Sequence, residues 1–396
     1  MPPQDLPSLD SPQFSPMTAL AVIQAAMDQA VQDGVFPGAV LAVRLCGSLR
    51  CLVPTGRLCA NPPGEPVQTS TVYDLASLTK PLVTATSLLL LVQGGKLLID
   101  DSIQKYLDEL KGTPIGRATI RDLLTHSAGL PGWRPLYERL EAMGVVKGRG
   151  QLSVTQQAVL QLIRDEPLIY ERGARRLYSD LGFIVLGLAI ERITGSSLDR
   201  QYQKTVAGPL EAKPLLFAPM AVADAETSME CSVHRSRIAP TGWDGWRGRL
   251  LQGEVHDENA AAMGGIAGHA GLFGTAESVL AITGAWLQAH RGQPSMLNGK
   301  LVHEFTQRRT DVPQSSWALG WDTPSAPSSS GEYFSSESFG HLGYTGTSVW
   351  IDPQRELEVV LLSNRVNPSR KNDLIRAFRP RIHDLAFQEF VASGRQ

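Results

Sequence analysis

Cysteine is scarce in this chain. The four thiols, Cys46, Cys51, Cys59 and Cys231, are too few among 396 residues for a disulfide scaffold, and no two form a Cys-x-x-Cys pair. Reduced thiols packed as small apolar groups are the expectation. The eight histidines are scattered, with no His-Glu-x-x-His or similar cluster, so a structural or catalytic metal is not expected. Excess charge is missing too: 37 Lys plus Arg against 39 Asp plus Glu leaves a net charge of −2, which gives no field to attract nucleic acid or an anionic membrane. Small molecules are the expected partners. Long apolar runs are also absent. The longest, Pro81 to Val92, contains Thr84, Thr86 and Ser87, falls short of the ~18 residues that suggest a membrane span, and reads as a buried core helix. The first twenty residues have neither the positive region nor the continuous apolar stretch of a secretory leader, so a cytoplasmic location is expected.

With 42% hydrophobic and 19% charged residues, the composition is that of an ordinary globular protein with a sizeable core. Its length suits two or three units, or one large enzyme domain with an insertion. After a loose, Pro-rich start, Ala19 to Ala30 has helical apolar spacing. Gly38 to Leu45 and Leu49 to Val53 read as a hairpin about Gly47-Ser48. Pro81, tolerated only near a helix start, places that start at about Ser77, and Gly94-Gly95 is a natural stop. Thr119 to Thr125, Val154 to Arg164, Leu181 to Ile193, Leu198 to Val206 and Ala276 to His290 are further helices. Trp317 to Trp321, Ser348 to Ile351 and Leu357 to Leu362 look like strands, and a last helix runs from Lys371 to Phe390. Strands early and late with helices between them suggest an α+β fold whose sheet joins both chain ends. The division expected is a loose terminus at 1–16, a sheet domain from 17–109 and 266–396, and an inserted all-helical region at 110–265.

Ser77 and Lys80 form a Ser-x-x-Lys pair at a helix start, where three residues place the lysine one turn on, on the serine's face. A serine hydroxyl is a weak nucleophile until a neighbour takes its proton, and a lysine with a lowered pKa can do so. The backbone N–H groups there also suit an anion. Taken alone, the pair reads more readily as an N-cap serine beside a surface lysine. Two further elements alter that balance. Tyr178-Ser179-Asp180 lies in a loop before an apolar helix, where a tyrosine could relay protons. Gly340 to Gly346 precedes a strand whose glycines allow a ligand's close approach.

With these three elements in order, the chain resembles the serine β-lactamase and penicillin-binding-protein superfamily, especially its class C-like branch of esterases and D,D-peptidases. Ser77-Leu78-Thr79-Lys80 looks like the first motif, Tyr178-Ser179-Asp180 like the Tyr-x-Asn motif, and His341-Leu342-Gly343 like the His-x-Gly form of Lys-Thr-Gly. The resemblance runs from about Val22 to Asn364. It implies an antiparallel sheet flanked by helices and an acyl-enzyme formed at Ser77, with Lys80 and Tyr178 as coupled general bases. It also implies an oxyanion hole from the N–H groups of Ser77 and Tyr344, beside Gly343, and it needs no cofactor. Two departures stand out: Asp180 replaces an Asn that contacts the substrate amide, and His341 replaces a Lys that helps bind a carboxylate. Both weaken a lactamase reading more than a hydrolase reading, so a carboxylic-ester hydrolase or acyltransferase is expected. A D,D-peptidase, amidase or β-lactamase, and a catalytically silent ligand-binding scaffold, are the rivals.

Other conspicuous residues have plainer readings. His126 is expected as a hydrogen-bonded structural histidine, and His269 as part of a Gly-rich turn. His256-Asp257-Glu258 lacks a partner cluster for a metal. Trp133, Trp243 and Trp246 suit core plugs or cleft aromatics equally. Whether Arg365 or Lys371 reaches a substrate carboxylate stays open, as does the oligomeric state.

Overall fold

The computed structural model describes residues 16–145, 152–217 and 233–393. Cys231 lies outside them. Helix α1 (Pro16–Gln32) leads into the hairpin of β1 (Gly38–Leu45) and β2 (Ser48–Gly56), followed by the short β3 (Tyr73–Asp74). The helical segment Ala76–Gln93 opens as a 3-10 turn, passes through a π-type stretch at Lys80–Ala85, and ends as α2 (Thr86–Gln93). Then come α3 (Ile120–Leu124), α4 (Leu136–Ala142), α5 (Leu152–Arg164), α6 (Asp180–Thr194) and α7 (Leu198–Tyr202). Next are β4 (Leu215–Phe217), β5 (Trp243–Asp244), β6 (Arg249–Leu250), α8 (Glu258–Ala262) and β7 (Leu272–Gly274). The chain closes with α9 (Ala276–His290), α10 (Gly299–Thr306), β8 (Phe339–Leu342), β9 (Ser348–Asp352), β10 (Leu357–Ser363) and α11 (Ile375–Phe387).

The main sheet is antiparallel, in the order β2-β1-β10-β9-β8, with Val40 opposite Leu362 and Val360 opposite Val349. It is therefore closed by both ends of the chain, the α+β arrangement expected. Successive strand residues point to opposite faces. Val40, Ala42, Val360 and Leu362 join the core shared with α2 and α9, while Ala39, Leu41, Val359 and Leu361 pack with Ile23 of α1 and Ile382 of α11. Burial on both faces explains why β10 reads as an apolar run from Val359 to Leu362 rather than an alternating one, with Glu358 buried beside Arg44. Each of the valine, leucine and isoleucine side chains contributes ~1.5–3 kcal/mol of burial.

Segment Ala76–Gln93 is long and apolar enough for a membrane span by length and composition, but 72% of it is buried inside the protein, as a core helix would be. The hairpin turn centres on Cys46 and Gly47, with φ of 49° and 74°, the left-handed pair that matches strand twist. That places Cys46 at an exposed tip, correcting the expectation of packed thiols; only Cys51 among the described cysteines is buried. The strand expected at Trp317 to Trp321 is instead a tight turn, closed by Ala318 N–H donating to the Trp321 carbonyl at 2.8 Å. Gly320 makes the turn possible with φ 83°, and a Cβ there would lie 2.8 Å from that of Ala85. The inserted region carries β4, β5 and β6 besides its helices, and β3, β7 and β4 form a small second sheet.

Candidate active site

Ser77 sits where β3 turns into the helical segment Ala76–Gln93. The turn is forced: Ala76 has φ 48°, a left-handed conformation costly for a residue with a Cβ. Asp74 holds it there, its carboxylate accepting the Ala76 N–H at 2.8 Å and the His256 N–H at 2.7 Å. Burial raises the Asp74 carboxyl to about 6 despite those two bonds. Behind the serine, Thr79 donates to the Ala76 carbonyl at 2.6 Å and accepts from the Leu272 N–H. The Ser77 elbow is thus fixed from both sides.

Lys80 is fully buried one turn on. Its Nζ donates to Ser77 Oγ at 2.9 Å and to the His269 carbonyl at 3.1 Å, and it pairs with Asp180 Oδ1 at 2.6 Å. An ammonium has three N–H groups, and each has an acceptor here. Burial works to strip the proton from Lys80, but Asp180 and then Tyr178 outweigh it and hold the amine above its ordinary range. The Tyr178 ring centre lies 4.9 Å from Lys80 Nζ. Burial, opposed by Lys80 and reinforced by Asp180, holds its phenol up as well. At neutral pH both potential acceptors of the serine proton are therefore already protonated.

The loop that carries Tyr178 is set by His126. Its Nδ1 accepts the Ser179 N–H at 3.0 Å, and its ring lies 4.5 Å from that of Tyr178 and 4.5 Å from that of Trp317. Burial, then Lys80, keeps the imidazole far below its usual range, so it is neutral and works as a spacer. Asp180 opens α6, but Ser179 is the N-cap residue, so Asp180 faces Lys80 rather than capping the helix.

Across the cleft, His341 Nδ1 lies 2.8 Å from the Leu342 carbonyl, which requires the proton on Nδ1. Burial and then Lys80 push this imidazole down to about 3, so it is uncharged at working pH. Gly343 has no room for a side chain: a Cβ would lie 1.9 Å from Thr347 Oγ1 and 2.6 Å from the Leu75 carbonyl. That crowding brings the β8–β9 turn against the segment that carries Ser77. Thr345 and Thr347 fasten it there, donating to the carbonyls of Asp74 at 2.7 Å and Leu75 at 3.0 Å. Among the described residues, neither the Ser77 N–H nor the Tyr344 N–H has an acceptor. The Tyr344 ring itself is half exposed.

These groups line one cavity of about 1000 Å³, which holds Ser77, Tyr178, Asp180, His341, Gly343 and Tyr344. Lys80 lies directly beneath Ser77. Chain from the helical insertion supplies one wall, including the half-exposed Trp133, and the sheet turn and α11 supply the other. Of the remaining expectations, His269 does shape the Gly-rich turn, aiming its carbonyl at Lys80 while Nε2 meets Asp257 Oδ1 at 2.8 Å. Trp243 is exposed and outside the cavity, and Trp246 packs against Tyr137.

With the geometry in place, three comparisons bear on it. The Beta-lactamase family profile matches residues 23–379. A putative D-alanyl-D-alanine carboxypeptidase of Salmonella agona (strain SL483) is 33% identical over 310 residues, 75% of this chain and 70% of the relative. The chain belongs to the beta-lactamase family. In this family, and with this constellation, it is a serine hydrolase. Among solved structures, EstCE1, a hydrolase with promiscuous acyltransferase activity, superposes with TM-score 0.70 at 21% identity, covering 93% of this chain and 99% of that one. The simvastatin synthase LovD from Aspergillus terreus gives 0.69 at 20% identity, covering 93% and 98%. At these identities the two superpositions establish the shared fold.

Arg365 and Lys371, left open by the sequence, both line the cavity, and beside them stand Arg176, Arg370, Arg376 and Arg379, which the sequence did not single out. Arg365 is engaged by the carbonyls of Tyr344, Arg370 and Asn372 at 2.6–2.9 Å. Most of these residues carry no local sequence motif. One signal did exist: Arg379 falls on the buried stripe of α11 among Ile375, Phe378 and Ile382, a place where an unpaired charge is costly.

Proposed function

We propose that Ser77 is the nucleophile of an acyl-enzyme mechanism that hydrolyses carboxylic esters or transfers their acyl group. The observation that carries this is the buried Lys80 ammonium 2.9 Å from Ser77 Oγ, where every other lysine among the described residues is exposed. Once the Tyr178 and Lys80 pair has given up one proton to solvent, Ser77 Oγ attacks the substrate carbonyl while its own proton passes to the vacated site on that pair. The N–H groups of Ser77 and Tyr344 take the developing oxyanion. Lys80 and Tyr178 then return the proton to the leaving group, and water or an alcohol resolves the acyl-enzyme. An ester is favoured over a carboxylate-terminated peptide because neutral His341 offers no cation beside the reacting carbonyl.

The cationic rim of Arg370, Lys371 and Arg376 favours a second reading, D,D-peptidase action on peptides ending in a carboxylate. The printed name of the Salmonella relative points the same way. The two readings separate on kcat/KM for a short activated ester against a D-Ala-D-Ala peptide. The ester is expected to win, and a peptide value above that of a butyrate ester would install the second reading. For the mechanism itself, a fluorophosphonate should add one mass increment on the peptide containing Ser77. Full esterase activity in Ser77→Ala would refute it.

A further inference from the structure

We infer that Arg379 is the positioning residue of the oxyanion hole, orienting the Tyr344 N–H through the carbonyl on the far side of the same peptide unit. The inference rests on the reading of Ser77 as nucleophile. Arg379 lies on α11, is nearly fully buried, and aims one nitrogen, Nη2, at the carbonyls of Gly343 and Thr347, each at 2.8 Å. Among the described residues no carboxylate pairs with it. A guanidinium buried among apolar side chains without a counterion costs stability, so its placement calls for a reason.

Peptide planarity supplies that reason. The Gly343 carbonyl and the Tyr344 N–H belong to one peptide group, and in a trans peptide they point in opposite directions. Whatever fixes the carbonyl fixes the N–H. Here the carbonyl is held by Arg379 and by the Gly346 N–H at 3.2 Å, while the Tyr344 N–H has no protein acceptor. Gly343 has no side chain to resist rotation of this peptide, and Gly346 sits at φ 117°, so the turn would otherwise be soft. The threonine bonds to Asp74 and Leu75 set how far the turn stands from the elbow. They leave rotation of the Gly343–Tyr344 peptide to Arg379 and the longer bond from the Gly346 N–H. A positive charge on the carbonyl oxygen also polarises the peptide, making its N–H a stronger donor to a developing oxyanion.

Arg379→Gln removes the charge while keeping a polar side chain in the slot, and Arg379→Lys keeps a charged nitrogen. Since Nη2 alone makes both bonds, one ammonium can replace part of its function. The expected result for Arg379→Gln is a ~10–100-fold loss of kcat with KM within a few fold, because removing an oxyanion donor outright costs ~10²–10³. The rate of fluorophosphonate labelling should fall by a similar factor, with Arg379→Lys recovering part of both. A merely structural arginine would lower the melting temperature or raise KM without this kcat-specific loss. Wild-type protein unlabelled at Ser77 would overturn the mechanism. Wild-type labelling with an equal rate in folded Arg379→Gln would overturn the role of Arg379 alone. Should Arg379→Gln not fold, Arg379→Lys carries the test: a labelling rate and kcat equal to wild type despite its shorter reach, or a loss confined to KM, refutes the inference.

Discussion

Replacing Asp180 by Asn should move the alkaline limb of the reaction to lower pH. Asp180 Oδ1 stands 2.6 Å from the Lys80 nitrogen, and the same carboxylate lifts both the lysine and the Tyr178 phenol. Unit charges about 4 Å apart interact by ~4 kcal/mol at the effective dielectric of a protein surface. An opposite charge this close moves a pKa by ~1–3 units, each worth ~1.4 kcal/mol. The direction follows from what must be empty. Ser77 can lose its proton only to a group that holds none, so raised pKa values in the Lys80 and Tyr178 pair confine the active form to high pH. Removing the carboxylate lowers both values and enlarges the active fraction at neutral pH. The gain has a ceiling of ~10–1000-fold and is cut back because a weaker base accepts the proton less readily. Asn keeps the shape, and Ser179 rather than Asp180 is the N-cap residue of α6, so the fold should tolerate the change. The assay is kcat/KM for an activated ester, with fluorophosphonate labelling as a check, from mildly acid to strongly alkaline pH. A limb that stays in place, or that moves upward, refutes the electrostatic reasoning.

Lys80→Ala and Tyr178→Phe should each cost at least ~100-fold in kcat, and the double variant little more than the worse single, as residues acting as a unit do. Multiplying losses would show separate proton paths. Gly343→Ala should lower kcat by ~100-fold, because the added Cβ must displace the turn from Thr347 and Leu75, and a misplacement of about 1 Å can cost that much. An active Gly343→Ala enzyme would refute the account of the close approach. Stability should fall as pH drops below the ordinary histidine range. His383 is buried and depressed to about 4, and His256 likewise, so the unfolded chain binds protons that the native protein refuses, and stability is lost as pH falls from ~6.5 toward those values. His383→Gln should flatten the dependence of the melting temperature on pH over that window, and an unchanged slope would remove His383 from the explanation.

Much of the site was legible in sequence because its parts are local. Ser77 and Lys80 share a helix turn, Tyr178 and Asp180 flank a helix start, and His341 to Tyr344 lie at a strand edge. The hairpin and the buried strand β10 were equally plain from apolar content. What sequence could not give were partners set by tertiary contact. Nothing local tells that Asp180 faces Lys80 instead of serving as a cap, or that His341 loses its charge through burial. The stretch Trp317 to Trp321 has strand-like composition, yet Gly320 and the packing of Ala85 turn it sharply. Short helices such as α4, α8 and α10 fell below the length at which periodicity is readable.

The threonine fastening of the β8–β9 turn to Asp74 and Leu75 has a consequence for how the chain gains activity. Those hydrogen bonds span 271 and 272 residues of sequence. Closing so long a loop costs ~5 kcal/mol in chain entropy, more than two neutral hydrogen bonds return. The pairing of β1 with β10 offsets that closure first, because Val40 against Leu362 already draws the two ends together. The fastening can then form across a short remaining gap. On the proposed mechanism, a nascent chain still lacking β10 would hold Ser77, Lys80 and Tyr178 without the pairing that draws Tyr344 to them, so hydrolytic power would arrive only with the last strand.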